Sequence, residues 1–476
     1  MLGFGWKKRC HQAQAENTRL RERLGQLESQ IAQLKGKNSQ LVEALAAAKK
    51  NSGNSSKPPS SDIVQAPCRE PDRKKRRKIG AQRGHPRHER AAFTPEQIDH
   101  RKTHALQRCP VDAGHDLELI PGHEKVLQQV ELLDKPFVVT EHVAPAYWCA
   151  TCQKVHYASF PSAVLAGGVC GPRLTSLVCY FKGKMHGSYS GIADFFTDVL
   201  GLKVSRGYLA KLIQKAAQVF QQPYLELIDL LPQQTSLNVD ETGHKENGAR
   251  FWTWCFRAKH FAVFKIDPSR SSDVLMEVLG QEFQGILGAD FWGAYRKYAS
   301  QCGVLIQFCL AHLIREVKYL CEFPDPMVQR YGKALLFELK DLFSTLHRRT
   351  ELTPPVYAHA LAIAEAKICD TAVQPLLHPA RYPRGQVHRL IENLALRFAE
   401  HGEGYFRFIT SPDVQPTNNC AEQTMRFVVM DRHVTQGTRS QRGPRVLRTP
   451  LDGHGHLCFA EAFRLSLDAP SHLRPL

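Results

Sequence analysis

Between Thr235 and Leu320 the hydrophobic pattern narrows the fold more than any other stretch of the chain. TSLNVDETG, ARFWTWCFRA and FAVFKIDPS are three short runs rich in β-branched and aromatic residues, separated by turn signals, as in an antiparallel meander. SSDVLMEVLG, GILGAD, FWGAYRKYAS, VLIQFCL and AHLIREVKYL follow, reading as helix, strand, helix, strand and helix. Three antiparallel strands continued by alternating helices and strands make a mixed sheet covered by helices. From about residue 324 to 410 the pattern is all helical, with breaks at Pro354, Pro355 and Pro383. TNNCAEQTMRFVVMDRH then opens on an Asn cap and continues as a helix.

Two carboxylates sit where strand patterns stop. Asp240 ends SLNVD and Asp290 ends GILGAD, each followed by a turn or helix start that would project it from the sheet edge. Glu422 lies in the first turn of the helix after Asn418 and Asn419. Three hard oxygen ligands from separate elements are what two Mg²⁺ (or Mn²⁺) ions need, held ~3.5–4 Å apart, to clamp an in-line phosphoryl displacement. Acidic residues are otherwise mostly solvated surface or helix caps, so it is their shared position at strand ends that distinguishes Asp240 and Asp290.

The rest of the chain is modular. A length of 476 residues suggests about three domains and an α/β (mixed) multidomain protein. Residues 1–50 carry a heptad pattern, with Leu20, Leu27, Leu34 and Leu41 at d and Leu24, Ile31, Asn38 and Leu45 at a. Leu at d with one Asn at a favours a registered parallel dimer, so a coiled-coil homodimer is expected; the alternative is an amphipathic helix lying on its own domain. NSGNSSKPPSSD breaks that helix and opens a basic linker over 51–105. Between Lys49 and His104 there are fifteen Lys and Arg against six Asp and Glu, including the run Arg73, Lys74, Lys75, Arg76, Arg77, Lys78. With 63 Lys+Arg against 46 Asp+Glu overall, a formal net charge of +17, the linker reads as an arm that neutralises phosphates.

Residues 106–160 form a Cys/His region. Cys149 and Cys152 have the C-x-x-C spacing of a zinc knuckle, but upstream Asp112 stands three residues after Cys109 where a second Cys is needed. The readings are a Zn²⁺ site of Cys109, His115 (or Asp112), Cys149 and Cys152, or a knuckle that holds nothing. Fourteen cysteines and a start without an apolar secretory segment favour reduced thiols and a cytoplasmic location. No apolar run is long enough to span a membrane. Residues 165–232 read as helices, with Gly201 as a stop and Ser205 as an N-cap. This pattern resembles a helix-turn-helix whose last helix carries Arg206, Lys211 and Lys215.

NSSKPPSSD, GAQRGHPR, WCATC, NVDETG, GADFWGAY, FCLAHLIREVKYL and TNNCAEQTMRFVVMDRH occur in this order, and together they resemble the insertion-sequence-66 family of transposases, of the DDE class. The resemblance runs from the N-terminal helix to about Arg445. It implies that Asp240, Asp290 and Glu422 are the catalytic, metal-binding positions of an RNase H-like core over 233–445, with 324–410 inserted into it. Cys309, His312 and Arg315 in FCLAHLIRE match a Cys-x-x-His signature that either binds a metal or packs beside the site. Arg426 and Arg432 match basic positions of the family. Arg426, four residues after Glu422, would meet a phosphate or pair with Glu422.

The resemblance further implies a bacterial, nucleoid-associated enzyme that cuts and joins double-stranded DNA at the element ends, with small companion proteins. Two other readings are a DNA-binding remnant without catalysis and an RNase H-fold nuclease. Residues 446–476 depart from the family pattern. Pro450, Gly453, Gly455 and Pro470 replace the expected apolar helix, and a reading-frame change near Val446 would produce this switch.

Overall fold

The computed structural model describes residues 4–48, 50, 92–104, 111, 126–130, 132–133, 136–161, 164, 168–382, 388–435 and 451–452. The chain divides into two compact units: residues 68–158 with 198–201, and the remainder. In the smaller unit, β1 (Ala146–Cys149) and β2 (Lys154–Tyr157) form an antiparallel hairpin in which Cys149 pairs with Lys154. Its turn is closed by Gln153 at φ 50. Cys109, Asp112 and His115 lie outside the described residues, as does the basic run Arg73–Lys78.

The larger unit begins with α1 (Phe4–Ala48), a helix of 45 residues. Its heptad residues Leu20, Leu24, Leu27, Ile31, Leu34, Leu41 and Leu45 are all exposed, and Val42 packs against the core. A small helical group follows: α2 (Pro172–Gly183), α3 (Tyr189–Asp198), α4 (Arg206–Val219) and α5 (Gln221–Asp229). Gly201 at φ 65 is the stop after α3. The Ser205 hydroxyl caps α4 by accepting the Tyr208 N–H at 3.1 Å. Leu209, Leu212 and Ile213 are buried while Arg206, Lys211 and Lys215 are exposed, so α4 turns a basic face outward.

The sheet has β3 (Ser236–Glu246), β4 (Ala249–Arg257), β5 (Phe261–Asp267), β6 (Ile286–Ala289), β7 (Leu305–Phe308) and the short β8 (Leu451–Asp452), in the order β7-β6-β3-β4-β5-β8. β3, β4 and β5 are joined by hairpins and run antiparallel. β6 and β7 are parallel to β3, because their connections pass through α6 (Ser272–Leu279) and α7 (Gly293–Cys302). Strand residues alternate between two cores. Val239, Trp254, Phe256 and Val263 join α6, α7 and α8 (Leu310–Glu322) on one face. Cys255, Ala262 and Phe264 meet Met425 and Val428 of α13 (Asn419–Thr435) on the other.

The helical stretch after α8 comprises α9 (Pro326–His347), α10 (Pro354–Leu377), α11 (Arg389–His401) and the short α12 (Arg407–Thr410). Pro354 and Pro355 start α10 rather than break it, since the first turn has N–H groups without helical partners. Gln307 of β7 anchors the stretch to the sheet. Its amide donates to Tyr405 O at 3.0 Å and accepts the Phe408 N–H at 2.9 Å. Among the described residues, no helix is long and apolar enough to cross a membrane.

Candidate active site

Sheet register decides which carboxylates meet. Asp240 does not end its strand, as the SLNVD pattern suggests. β3 runs on to Glu246 through its pairing with β4, and it is a central strand rather than an edge. What stops near Asp240 is the pairing with β6, whose last partners are Asn238 and Gly288. Extending that parallel register by two residues sets Asp240 opposite Asp290, immediately after β6. Asp240 pairs directly with Cys255 across the β3–β4 ladder, and directly opposed residues share a sheet face. Asp240 therefore belongs to the face covered by α13, the helix that carries Glu422, and the charge of Asp290 reaches it from the end of β6.

Asn418 holds the start of α13 in place. Its side-chain amide donates to Val239 O at 2.8 Å, its carbonyl oxygen accepts from Asn238 Nδ2 at 2.8 Å, and its backbone N–H donates to Cys309 Sγ at 3.1 Å. Gly288 makes room for this bridge, since a Cβ there would come within 2.4 Å of Asn238 Nδ2. Farther along α13, Arg432 donates to Thr242 Oγ1 at 3.3 Å and to Gly243 O, tying the helix to β3. Arg426 is exposed.

The electrostatics reflect acids crowded around Asp240. Burial pushes the Asp240 carboxyl well above the ordinary carboxylate range, and the charges of Glu241, Glu422 and Asp290 add to the effect. Burial and then Glu241 push Asp290 up to about 6, against the Trp292 N–H and Arg270; that N–H donates to Asp290 Oδ1 at 2.9 Å. The Glu422 carboxylate accepts from Arg315 Nη2 at 3.2 Å, and His312 Nδ1 lies 3.6 Å from the same oxygen. Burial, then Arg315, lowers His312 to about 4, so its ring is neutral near pH 7.

A fourth acid is not visible as special in the sequence. Glu241 is opposite the buried Trp254, on the other face of β3, with its side chain 3 % exposed. It accepts from Arg270 Nε at 2.8 Å and Nη2 at 2.6 Å, and from the Tyr295 hydroxyl. The Arg270 guanidinium stacks between Trp252 and Trp292, at 4.6 and 4.2 Å from the ring centroids. Glu241 is thus neutralised within the protein by Arg270. No spacing rule links Glu241 with Arg270 and Tyr295; only the packing of α7 on the sheet does.

In the smaller unit, Cys149, Cys152 and His156 offer ligand atoms within 4.8 Å of one another, and Cys152 Sγ lies 2.9 Å from His156 Nε2. The N–H of Cys152, its side chain and the N–H of Thr151 hold the Cys149 thiol below its usual range. His156 went unnoticed in the sequence, although its place four residues after Cys152 was the available signal.

Residues 7–91 match a family of unknown function (DUF6444). No curated protein matches the chain. Residues 167–445, more than half of the chain, match the model described as Transposase IS66 family, a span that covers β3 to β7, both aspartates, the helices α9–α12 and α13. The chain belongs to the IS66 family of transposases.

Proposed function

We propose that the chain is the DNA strand-cleaving and strand-joining enzyme of a bacterial insertion sequence, with Asp240, Asp290 and Glu422 as its catalytic carboxylates. The observation that carries this reading is that Asp240 and Asp290 each follow the paired β3–β6 stretch by two residues, and that the charges of Asp290 and Glu422 both reach Asp240. The strand order, three antiparallel strands continued by two parallel ones, supports reading the core as RNase H-like with α9–α12 inserted.

The donor set fits a hard divalent cation. At Asp240 burial and the charges of Glu241, Glu422 and Asp290 all oppose ionisation, so a bound cation would offset them. All-oxygen ligation suits Mg²⁺ or Mn²⁺. Bound there, two such ions would lower the pKa of the attacking hydroxyl and stabilise the leaving oxygen. The chain's own residues orient this site. Arg315 fixes the Glu422 carboxylate, and Asn418, bonded to Asn238 and Val239, and Arg432 fix α13 against β3. Water and then a DNA 3′-hydroxyl serve as nucleophiles, so no covalent protein intermediate forms. The test is to map 3′ ends on a DNA fragment carrying the element ends, incubated with Mg²⁺ and the purified chain, with companion proteins supplied. Discrete cuts at the ends support the reading, and their absence under every condition favours a binding-only protein.

DNA would be held by the arm at Arg73–Lys78 and by the outward face of α4, where Arg206 and Lys211 are exposed. Phosphate contacts of this kind give affinity that falls with salt and carry no sequence choice. The exposed seam of α1 supports pairing with a second copy. A Leu27→Glu, Leu34→Glu double variant should therefore run as a monomer in light scattering at micromolar concentration, where the native chain runs as a dimer. Equal masses would exclude the zipper as the dimer contact.

The hairpin knuckle fits Zn²⁺ through Cys149, Cys152 and His156, two thiols and an imidazole, with a fourth ligand from elsewhere. Elemental analysis of the purified protein should find zinc, and His156→Ala should weaken its retention against a chelator by about 10-fold or more. Unchanged retention would remove His156 from the ligand set.

A further inference from the structure

Cys309, His312 and Glu422 converge in the larger unit from α8, the residue before it and α13. Their ligand atoms, a sulfur, a ring nitrogen and a carboxylate oxygen, lie within 4.8 Å of one another. The buried His312 Nδ1 has no hydrogen-bond partner among the described residues, although a buried ring nitrogen is ordinarily satisfied. The turn at Cys309 also repeats the local design of the Cys149 knuckle. In the knuckle the sulfur faces the N–H groups two and three residues ahead, Thr151 and Cys152. At Cys309 it faces those of Ala311 and His312, and the Asn418 N–H besides. In both places the residue three ahead supplies the second soft or borderline donor.

We propose that Cys309, His312 and Glu422 form a site for a borderline divalent ion of the Zn²⁺ class, which holds Glu422 in competition with the all-oxygen site at Asp240 and Asp290. Three protein ligands with mixed S, N and O donors and an open position suit tetrahedral Zn²⁺ or Co²⁺ and disfavour Mg²⁺, which keeps to oxygen ligands. Binding replaces the Cys309 S–H bond with a sulfur–metal bond and releases that proton to solvent. The ion withdraws Glu422 from the catalytic carboxylates, so Zn²⁺ inhibits strand cleavage. That last step rests on the catalytic reading of Glu422; the site itself does not.

The experiment is a Co²⁺ titration of the full chain in a Cys149→Ser, Cys152→Ser background, which removes the knuckle thiols. The expected result is a thiolate-to-cobalt charge-transfer band in the near ultraviolet that saturates with one Co²⁺ per chain, whatever further Co²⁺ the all-oxygen site takes without such a band. Adding Cys309→Ser abolishes the band, and Glu422→Gln or His312→Ala weakens Co²⁺ binding by about 10-fold or more, on the scale of losing one ligand. His312 lies at the rim of the site, with its side chain 15 % exposed, so His312→Ala answers the question if the Cys309 variant fails to fold. A band that is missing from the background protein, or that survives Cys309→Ser, overturns the site. Binding indifferent to Glu422→Gln overturns the sharing. Neither readout needs cleavage, so an inactive chain would count against the catalytic reading and not against the metal site.

Discussion

Asp290→Asn should reduce strand cleavage at the element ends by at least about a thousandfold, equivalent to ~4 kcal/mol in the barrier, while DNA binding in gel-shift assays stays within a few fold. The substitution keeps the shape of the side chain and leaves the Trp292 N–H an oxygen to donate to, in place of the 2.9 Å bond to Asp290 Oδ1. It removes one negative charge from the group that would hold the ions, and phosphoryl transfer of this kind depends on positioning and charge stabilisation rather than on covalent chemistry. Glu241→Gln is the informative control. Glu241 is as acidic by type and adjacent to Asp240, but it faces the opposite side of β3 and is engaged by Arg270 and Tyr295. Its loss should act through stability and the neighbouring charges, and cost far less cleavage than Asp290→Asn. Cutting by Asp290→Asn at the native rate, or an equal loss in both variants, would defeat the three-carboxylate assignment.

The second large effect is a dependence of stability on pH that divalent ions reverse. Burial and the Glu241 charge raise the Asp290 carboxyl to about 6, above the ~3.9 of an unfolded aspartate. A carboxyl raised in this way favours the folded state fully below the unfolded value, and that contribution is lost as pH rises from about 4 through 6. Asp240 acts in the same direction. For Asp290 alone the difference is at most about 3 kcal/mol, or roughly 5–10 °C in Tm for a domain of this size. Thermal unfolding in a chelator should show Tm falling between pH 4 and pH 7 relative to Asp290→Asn, in which that charge cannot form. Millimolar Mg²⁺ at pH 8 should raise the Tm of the native chain and leave the Asn variant much less affected, because ligand binding stabilises only the state that binds. Native and variant curves that run parallel in pH, with equal responses to Mg²⁺, would show that Asp290 is neither buried as a charge nor a ligand.

Much of the secondary structure could be read from local pattern, because the forces that set it are local. The period-two runs became β3, β4 and β5, the helical runs became α6, α7 and α8, and Gly201 and Ser205 ended one helix and capped the next. The sequence order of these elements also implied the mixed sheet, since a meander must be antiparallel and strands joined through helices must be parallel. Asp240, Asp290 and Glu422 stood out by position alone. The exposed heptad residues of α1 likewise keep the spacing seen in the chain itself.

Tertiary structure decided what those residues are to one another. Asp240 seemed to end a strand because SLNVD ends in an acid, yet β3 continues, and it is the shorter partner β6 that stops. Which acids share a face depends on register, and register is set by pairing between segments about fifty residues apart. Separation in sequence likewise hides Asn418, which binds β3 and Cys309 together, and Glu241, whose partners come from the β5–α6 turn and α7. Arg315, not the Arg426 at helical spacing, holds Glu422, because the packing of α13 beside α8 turns Arg315 toward the carboxylate. Sequence by itself determined which side chains could do chemistry and on which elements they stand. The long-range pairing of β3 with β6, and the docking of α13 on that sheet, determined which of them meet, because hydrogen-bond register and close packing are properties of two segments together and of neither alone.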